Sequence, residues 1–436
     1  MNKRIYLALD EYPFRMKIIF TFLSILYCFQ FAGAQCGERY KEDIAASTIL
    51  HADIVYGSNL DSRDQHTDLR MDIYEPEGDT SGMLRPVIIF SHGGSFVGGS
   101  RSEQGIDENA QFFAKKGYVS ANIEYRLDQN VFISPFLNFL DANNWYKAVI
   151  RAKHDIRAAI RFLKKEVAEN GNPYNIDTNL IFLYGSSAGA IASLHVAFLD
   201  NMDEASDMFR KNIEALGGGI EGNSGHSEYT SVNSVKGIIN CSGVIEDTAY
   251  LNNNTEVAYM GFHHRFDLIP LDVGCIDVIF CHLGTYHGSR KIYEKAASLG
   301  MKSDLHIFDK YGHPADAYKE TADRSLLLKK TTDFLYEILC TATPTPVSVN
   351  KSRSFKIYPN PATNVISIES TTELLQQVCT LEIMDNSGKV LQRHTFTATD
   401  KNDFSVDLPG GVYIARIIPE RYTGTPHYIS RFSIIR

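Results

Sequence analysis

Strand-like and helix-like patterns alternate along the chain from about residue 66 to residue 340. Polar and apolar residues alternate at 69–74, as in a strand with one buried face, and 87–90 is the continuous apolar run of a fully buried strand. Further strands are predicted at 119–125, 180–184, 235–240, 257–262 and 304–308, and helices at 146–168, 188–199, 287–299 and 317–339. This alternation predicts an α/β fold, a mostly parallel sheet with helices on both faces.

Two stretches interrupt the alternation. Residues 128–145 are rich in aromatic side chains, and residues 215–233 are rich in Gly, Ser and Asn. Long irregular insertions in a compact domain often form lids or binding loops. For the first stretch the alternative is that its aromatic side chains pack against a core helix, and the sequence favours neither interpretation.

The pattern changes at residues 341–350, which read TATPTPVSVN and indicate an extended linker. Beyond the linker only short strands are predicted, at 365–369, 381–384, 390–394, 406–408, 412–417 and 428–435. The sequence Asp-Asn-Ser-Gly at 385–388 predicts a hairpin turn. We therefore expect an α/β domain at 35–340, a linker at 341–352 and a small all-β, sandwich-like C-terminal domain at 353–436.

The N-terminus has the pattern of a secretory signal peptide. Lys17 precedes an apolar run at 18–31, and Ala32-Gly33-Ala34 supplies the small residues before a signal-peptidase cut. Residues 1–34 are therefore predicted to be removed, with Met16 as an alternative start because the preceding stretch is polar. A membrane anchor is disfavoured, since an apolar run of about 14 residues is shorter than the roughly 20 that span a bilayer. The mature chain is expected to have no transmembrane helix and to be secreted or held at the outer cell surface.

Composition and charge exclude one class of partner. The chain is 44% hydrophobic and 22% charged, with a formal net charge of -9 and a pI near 5.9. These values are ordinary for a globular protein, and without blocks of Lys and Arg they argue against nucleic-acid binding.

Six cysteines remain after the predicted signal peptide. An even number in an exported chain suggests disulfides, although their pairing cannot be read from the sequence. Buried free thiols are the alternative, and metal binding is disfavoured because no CxxC or paired His accompanies the cysteines. The six are Cys36, Cys241, Cys275, Cys281, Cys340 and Cys379.

The strongest chemical signal is Gly-Ser-Ser-Ala-Gly at residues 185–189. It matches G-x-S-x-G and lies between a predicted strand and a predicted helix, which is the context of a nucleophile elbow. The sharp turn projects Ser187 from the strand end, and the N-terminus of the following helix favours negative charge at the reacting centre. Ser187 is therefore the predicted nucleophile.

A glycine-rich turn follows the buried strand at 87–90. His92-Gly93-Gly94-Ser95-Phe96 lets backbone N–H groups point inward without a nearby Cβ, as an oxyanion hole requires. We expect the N–H groups of Gly94, Ser95 and Ala188 to serve, and Gly93 could replace one of them because the register is not visible in the sequence.

The serine needs a base and an acid, which follow it in the order Ser, acid, His. His313 lies on a loop after the strand predicted at 304–308 and is the expected base. His287, at the start of a predicted helix, and His306, inside a strand, are the alternatives. Asp267 follows the strand predicted at 257–262 and is the expected acid. Asp247 and Asp272 are its alternatives.

The motifs, taken in order, give a family resemblance over about residues 45–340. HGGSF, Tyr125-Arg126-Leu127, Asp155, GSSAG, HHRFD and YGHP resemble the carboxylesterase and hormone-sensitive-lipase-like branch of the α/β-hydrolases. The resemblance implies hydrolysis of carboxylic esters through an acyl-enzyme, without cofactor or metal. His264-Arg265 stands where relatives have Gly-Thr in HGTxD, which leaves the local loop shape open.

The tail resembles a second family. Residues 358–362 (YPNPA), 385–390 (DNSGKV) and 411–413 (GVY) are similar to the C-terminal sorting domain of the type IX secretion system in Bacteroidetes. That resemblance implies export through the secretion machinery, with surface attachment or removal of the domain. A carbohydrate-binding or adhesion module is the alternative.

The sequence thus favours a secreted serine esterase acting on small or polymer-linked esters, such as acetyl or feruloyl groups on glycans. The substrate part of this hypothesis rests on analogy alone. A serine peptidase of the same fold and a non-catalytic binding protein on the hydrolase scaffold are the alternatives.

Overall fold

A computed structural model of the protein describes residues 36–128, 141–276, 283–314, 322–341, 355–369, 374–384, 390–419 and 428–435. The chain divides into two compact units, residues 1–342 and 343–436, here called the first and the second unit. The predicted signal peptide, most of the linker and of the aromatic-rich stretch, and the hairpin turn at 385–388 lie outside the described residues.

An eight-stranded sheet forms the centre of the first unit. Its strands stand in the order β1-β2-β4-β3-β5-β6-β7-β10. Only β1 and β2 run against their neighbours, and the remaining pairs are parallel. The strands are β1 (Thr48–Leu60), β2 (His66–Pro76), β3 (Arg85–Ser91), β4 (Val119–Ile123), β5 (Ile176–Ser186), β6 (Val235–Cys241), β7 (Ala258–Phe266) and β10 (Ser303–Tyr311), with β8 (Val273–Cys275) and β9 (Thr285–His287) as a separate pair.

Helices cover both faces of this sheet. They are α1 (Gln104–Lys115), α2 (Ala142–Glu169), α3 (Ala188–Phe198), α4 (Asp207–Leu216), α5 (Ser289–Ser298) and α6 (Ala322–Tyr336), with a 3-10 turn at Thr248–Asn253 and a π-helical turn at Glu337–Thr341. Successive side chains of β3 point to opposite faces. Val87 and Ile89 pack with α2 to α5, whereas Ile88 and Phe90 pack with α1 and α6. The predicted α/β fold class is confirmed.

The first unit departs from the prediction at β1, α1, α4 and the start of α5. The sheet begins at β1, which precedes the stretch recognised as regular, and α1 and α4 were not predicted. His287 does not open a helix: it ends β9 and exchanges backbone hydrogen bonds with Ile245, and α5 begins two residues later. The two short strands β8 and β9 thus lie between β7 and α5.

The stretch at 215–233 packs against α2. Beyond α4 it contains no helix or strand, as predicted. The Ser224 hydroxyl donates to Asp155 at 2.7 Å, and Arg161 donates to Glu221 at 3.0 Å. None of its residues lines the cavity described below, so in this structure the stretch buttresses a helix.

The second unit consists of two small antiparallel sheets. One has the order β11-β12-β15 and the other β14-β13-β16-β17. Side chains such as Ile366, Leu381 and Phe432 fill a single apolar core, and the predicted all-β class is confirmed. The strands are β11 (Lys356–Tyr358), β12 (Val365–Glu369), β13 (Val378–Met384), β14 (Val390–Thr397), β15 (Lys401–Ser405), β16 (Gly411–Pro419) and β17 (Tyr428–Ile434).

The predicted strand at 406–408 is wrong. The strand lies just before it, at β15, whose mostly polar sequence hides the pattern. Val406 and Leu408 are buried in the core of the second unit from an irregular segment. The Val406 N–H donates to the Asn364 carbonyl. The alternating apolar residues at 406–408 therefore reflect burial in the core and not a β-strand.

Some of the cysteines form disulfides and others are buried free thiols, the two alternatives that the sequence left open. Cys36 and Cys340 form a disulfide across 304 residues, and Cys275 is also disulfide-bonded. Cys241 and Cys379 are buried free thiols. Within the ranges that the structure describes, no helix is long and apolar enough to cross a membrane.

Candidate active site

Ser187 lies in a tight turn between β5 and α3. Its backbone has φ 50° and ψ -115°, a strained conformation for a residue with a side chain. A Cβ on Gly185 would lie 2.4 Å from the Ala190 Cα, and one on Gly189 would lie 2.2 Å from the Ser91 carbonyl oxygen. The small residues around Ser187 are therefore required by the close approach of neighbouring backbone.

Ser187, His313 and Asp267 lie in one contiguous chain of contacts. Ser187 Oγ is 2.7 Å from His313 Nε2, and His313 Nδ1 is 2.7 Å from Asp267 Oδ1. Asp267 directly follows β7, and His313 lies two residues beyond β10. These strands are adjacent and parallel, so their carboxyl ends bring the two loops together.

The alternative residues lie elsewhere. His306 is inside β10, and the His287 ring contacts the Thr248 hydroxyl. Asp247 accepts the Ala249 N–H at the start of the 3-10 turn, and Asp272 pairs with Arg290. Of the predicted acid and base candidates, only Asp267 and His313 reach Ser187 through direct contacts.

Electrostatics keep Asp267 ionised. Burial of its side chain raises the pKa. The hydrogen bond and charge of His313 and the hydrogen bond from the Ile269 N–H together lower the pKa by more, so it lies below its ordinary value. His263 Nε2 is 3.7 Å from the other carboxylate oxygen, and burial lowers the pKa of His263. A neutral histidine thus borders the buried carboxylate. In the HHRFD segment the sequence assigned a role only to Asp267, so the position of His263 beside that carboxylate was not predicted.

The glycine-rich turn after β3 faces Ser187. A Cβ on Gly93 would lie 3.4 Å from the Ser187 Cβ. Gly94 has φ 110° and its carbonyl accepts the N–H groups of Val97 and Gly98, while Ser95 has φ 55°. Ala188 is the first residue of α3, where N–H groups have no acceptor within the helix. The Ser187 N–H donates to the Cys241 carbonyl at 2.9 Å, which removes it as an oxyanion donor.

Two further motif residues hold this turn in place. The Tyr125 hydroxyl donates to the His92 carbonyl at 2.8 Å. The buried His92 ring stacks on the Tyr125 ring at a centroid distance of 4.3 Å, and its Nδ1 lies 2.7 Å from the Gly93 carbonyl. Tyr125 was part of a motif in the sequence but was given no role there. In the structure, Tyr125 anchors the glycine-rich turn through these contacts with His92.

The neighbouring Arg126 and Asp155 form a buried ion pair. Arg126 Nη2 lies 2.8 Å from Asp155 Oδ1, Arg126 Nε donates to the same carboxylate, and the Arg126 N–H donates to Oδ2 at 2.8 Å. Such a buried multidentate pair fixes the chain after β4 against α2.

A cavity of about 340 Å³ opens over Ser187. It is lined by residues 93–95 together with Ser186, Ser187 and His313. Glu103, Gly105 and Ile106 close it from the beginning of α1. Over the described parts of the chain, no group of three or more His, Cys, Asp or Glu side chains could hold a metal ion.

Solved structures that are similar to this chain include esterase 2 of Thermogutta terrifontis. The structure phosphorylated by paraoxon is 18% identical, covers 67% of this chain and 95% of that chain, and has a TM-score of 0.45. The native structure is 17% identical, covers 72% of this chain and 100% of that chain, and has a TM-score of 0.44.

Curated relatives match part of the first unit. Carboxylesterase 3B of Mus musculus is 29% identical over 123 residues, 28% of this chain and 19% of that protein. Gut esterase 1 of Caenorhabditis elegans is 32% identical over 105 residues, 24% of this chain and 17% of that protein. The chain spans less than a fifth of the length of each of these relatives.

Two family models match the chain. Residues 71–261, which contain the glycine-rich turn at 93–95 and Ser187, match the BD-FAE family. Residues 356–429 match the secretion system C-terminal sorting domain. The first unit is therefore similar to esterase-type α/β-hydrolases, and the second contains a type IX sorting domain, so the protein is secreted or held at the cell surface.

Proposed function

We propose that this protein is an exported serine esterase that cleaves carboxylic esters through an acyl-enzyme on Ser187. The observation that carries the proposal is the unbroken chain from Ser187 Oγ to His313 Nε2 and from His313 Nδ1 to Asp267, with 2.7 Å at each step. It lies at a cavity bordered by residues 93–95. The esterase names of the matched relatives add support.

In the acylation step, Ser187 Oγ attacks the ester carbonyl carbon while His313 Nε2 takes the hydroxyl proton. The carbonyl π electrons move to oxygen, and the N–H groups of Gly94, Ser95 and Ala188 hold that oxyanion, with Gly93 as the alternative to one of them. Asp267 stabilises the imidazolium. The carbonyl then re-forms, the bond to the alcohol breaks, and His313 protonates the leaving alcohol.

Deacylation repeats these steps with water. His313 takes a proton from the water as its oxygen attacks the acyl carbon. The second oxyanion collapses, the bond to Ser187 Oγ breaks, and His313 returns the proton to the serine. The products are a carboxylic acid, an alcohol and the original enzyme, with no cofactor or metal in the cycle.

The proposed substrates are acetyl or feruloyl esters on glycans. Export through a sorting domain brings the enzyme to polymers outside the cell. The cavity is small and bordered mainly by glycine and serine, which suits a short acyl group or a polar alcohol better than a long lipid chain. The C-terminal domain is the proposed contact with the secretion machinery.

The test is hydrolysis of p-nitrophenyl acetate, butyrate and octanoate by the purified protein and by Ser187→Ala. We expect the variant to lose about 10⁴-fold or more in kcat. Ser193→Ala, a serine of the same helix buried away from the cavity, is the matched control and is expected to stay active. Equal turnover by the parent and Ser187→Ala contradicts the proposal.

A fluorophosphonate probe separates the alternatives if a folded protein hydrolyses none of the three esters. Labelling that requires Ser187 then indicates a serine peptidase of the same fold. A protein that neither turns over esters nor reacts with the probe is better described as a binding protein on the hydrolase scaffold.

A further inference from the structure

The cavity over Ser187 has one carboxylate that the reaction does not use. Glu103 lines the cavity and occupies the position just before α1. Residues at this position usually turn an oxygen back to the helix N–H groups, but the Glu103 side chain makes no such capping bond. The helix therefore does not use this carboxylate as a cap.

Within the part of the chain that the structure describes, no lysine or arginine pairs with the Glu103 carboxylate. Among the described residues, no lysine or arginine lines the cavity. Arg101, two residues away, directs its guanidinium to Glu124, Asp53 and Asp72. The Glu103 side chain itself is exposed to solvent. The carboxylate of this side chain therefore contributes its formal negative charge to the cavity.

The dipole of α1 opposes that charge only in part. A helix N-terminus is equivalent to about half a positive elementary charge, against the full negative charge of a carboxylate. Treated as a sphere, a cavity of about 340 Å³ has a diameter of roughly 9 Å, which is about one Debye length at physiological salt. A charged group on a bound ester is therefore within electrostatic reach of Glu103.

We propose that Glu103 is a specificity-determining residue that selects esters whose polar part is neutral or cationic. Its carboxylate accepts hydrogen bonds from hydroxyl or ammonium groups near the scissile bond and repels carboxylates. This inference rests on the proposed esterase function and narrows its substrates to esters on neutral or amino-bearing glycans, in preference to esters on uronic-acid polymers.

Two pairs of esters test the inference on the purified protein. Within each pair, one ester carries a carboxylate and the other carries the neutral methyl ester of that carboxylate. In the first, p-nitrophenyl hemisuccinate is compared with its neutral methyl ester, so the charge lies on the acyl side. In the second, 4-acetoxybenzoate is compared with methyl 4-acetoxybenzoate, so the charge lies on the alcohol side. The readout is the kcat/KM ratio of neutral to anionic ester, measured for the parent, Glu103→Gln and Glu103→Lys.

We expect Glu103→Gln to lower this ratio by about three- to tenfold in at least one pair, and Glu103→Lys to lower it further. Added salt of about 0.5 M is expected to reduce the discrimination of the parent. Glu256→Gln is the matched control, because Glu256 is exposed and precedes β7, at the opposite end of the sheet from Ser187. Its ratio is expected to equal that of the parent.

Ratios within twofold of the parent for both pairs in Glu103→Gln overturn the inference and leave the esterase intact. An equal change in Glu256→Gln also overturns it, because the effect then comes from the overall charge of the protein. Failure to hydrolyse any of the four esters removes the esterase proposal itself, so the two failures are distinguishable.

Discussion

Each unit contains a glutamate between two arginines, but in different surroundings. In the first unit Glu221 lies 3.0 Å from Arg161 and 3.9 Å from Arg157, and both guanidinium groups are fully buried. In the second unit Glu382 pairs with Arg416 and, at 2.8 Å, with Arg393, whose side chain is 68% exposed. The arginines are thus enclosed by protein in the first unit and reach water in the second, although Glu382 is itself more buried than Glu221.

The difference follows from the layer structure. The sheet of the first unit is covered by helices on both faces, so an arginine on α2 that faces the sheet or a neighbouring loop has no access to water. Desolvation raises the pKa of Glu221, but the charge of Arg157 and hydrogen bonds from Ser231 and Thr230 lower it to about 2. The second unit is a two-sheet structure in which long side chains reach solvent, and ion pairs there contribute little.

The glycine turn gives the largest expected contrast between the units. A Cβ on Gly94 would lie 2.1 Å from the Gly98 carbonyl oxygen, so Gly94→Ala must displace the proposed oxyanion donors. We expect kcat to fall by about 10²–10³-fold, the usual effect of losing one donor. The measurement is ester turnover beside a thermal melt that confirms folding.

Gly411→Ala in the second unit is the matched control. A Cβ there would meet its nearest atom, the Tyr413 hydroxyl, at an ordinary 3.4 Å, and turnover should be unchanged. Full activity of folded Gly94→Ala would show that the turn does not supply the oxyanion hole.

Replacing each glutamate tests whether burial of the partner arginines determines how much the ion pairs contribute to the free energy of unfolding. Glu221→Ala leaves Arg161 buried without its carboxylate partner, and we expect the first unit to lose about 3 kcal/mol of unfolding free energy. Glu382→Ala leaves arginines that water can solvate, and the expected loss is about 1 kcal/mol or less. Calorimetry that follows the transition of each unit measures both. Equal losses would contradict the role given to burial.

Acid should weaken the first unit through His195. Burial lowers the pKa of His195 to about 4, while its Nδ1 contacts the Ile191 carbonyl and its Nε2 accepts the Glu246 N–H. The unfolded chain binds this proton near pH 6.5, so the contribution is complete above that pH and is lost as pH falls towards 4. The full effect is about 3 kcal/mol.

The variant His195→Gln isolates this effect. The difference in unfolding free energy between the parent and the variant should shrink as pH falls from 7 to 4, because only the parent pays for protonation. A difference that does not change with pH would assign the acid sensitivity of the unit to its carboxylates.

The loop that carries His313 gives the smallest expected effect. A Cβ on Gly312 would lie 2.6 Å from Nε2 of the buried His264 ring. Gly312→Ala should therefore shift His313 and lower kcat by about tenfold, since small misplacements are costly in catalysis. The second change His264→Ala opens space for the new methyl group, and the double variant should recover part of the activity. A double variant no better than Gly312→Ala would indicate that backbone freedom at Gly312 matters more than the ring.

Much of the fold could be predicted from hydrophobic periodicity. The buried strands β3 and β5 and the long helix α2 have strong patterns, and all three were found close to their predicted positions. Weak patterns failed: the polar strand β15 was missed, and the buried loop at 406–408 was taken for a strand. Burial and strand structure both select apolar residues, and a sequence does not separate the two.

For the candidate site, the sequence supplied residues and the structure supplied distances. Ser187 stands out because its turn needs small neighbours, and Asp267 and His313 because they follow strands. Glu103 lies in no motif, and the HHRFD motif gave His263 no role. Glu103 comes to the cavity because α1 begins there, and His263 meets Asp267 through the bend at the end of β7.

The sequence by itself determined the two-unit organisation, the α/β and all-β classes, and the residue types available for chemistry, because local periodicity and turn chemistry are written in adjacent residues. Only the tertiary structure decided which histidine and which aspartate meet Ser187, which cysteines pair, and which arginines are buried. Those outcomes depend on distances between residues far apart in the chain, such as Cys36 and Cys340, and such distances are fixed by the packing of the whole sheet.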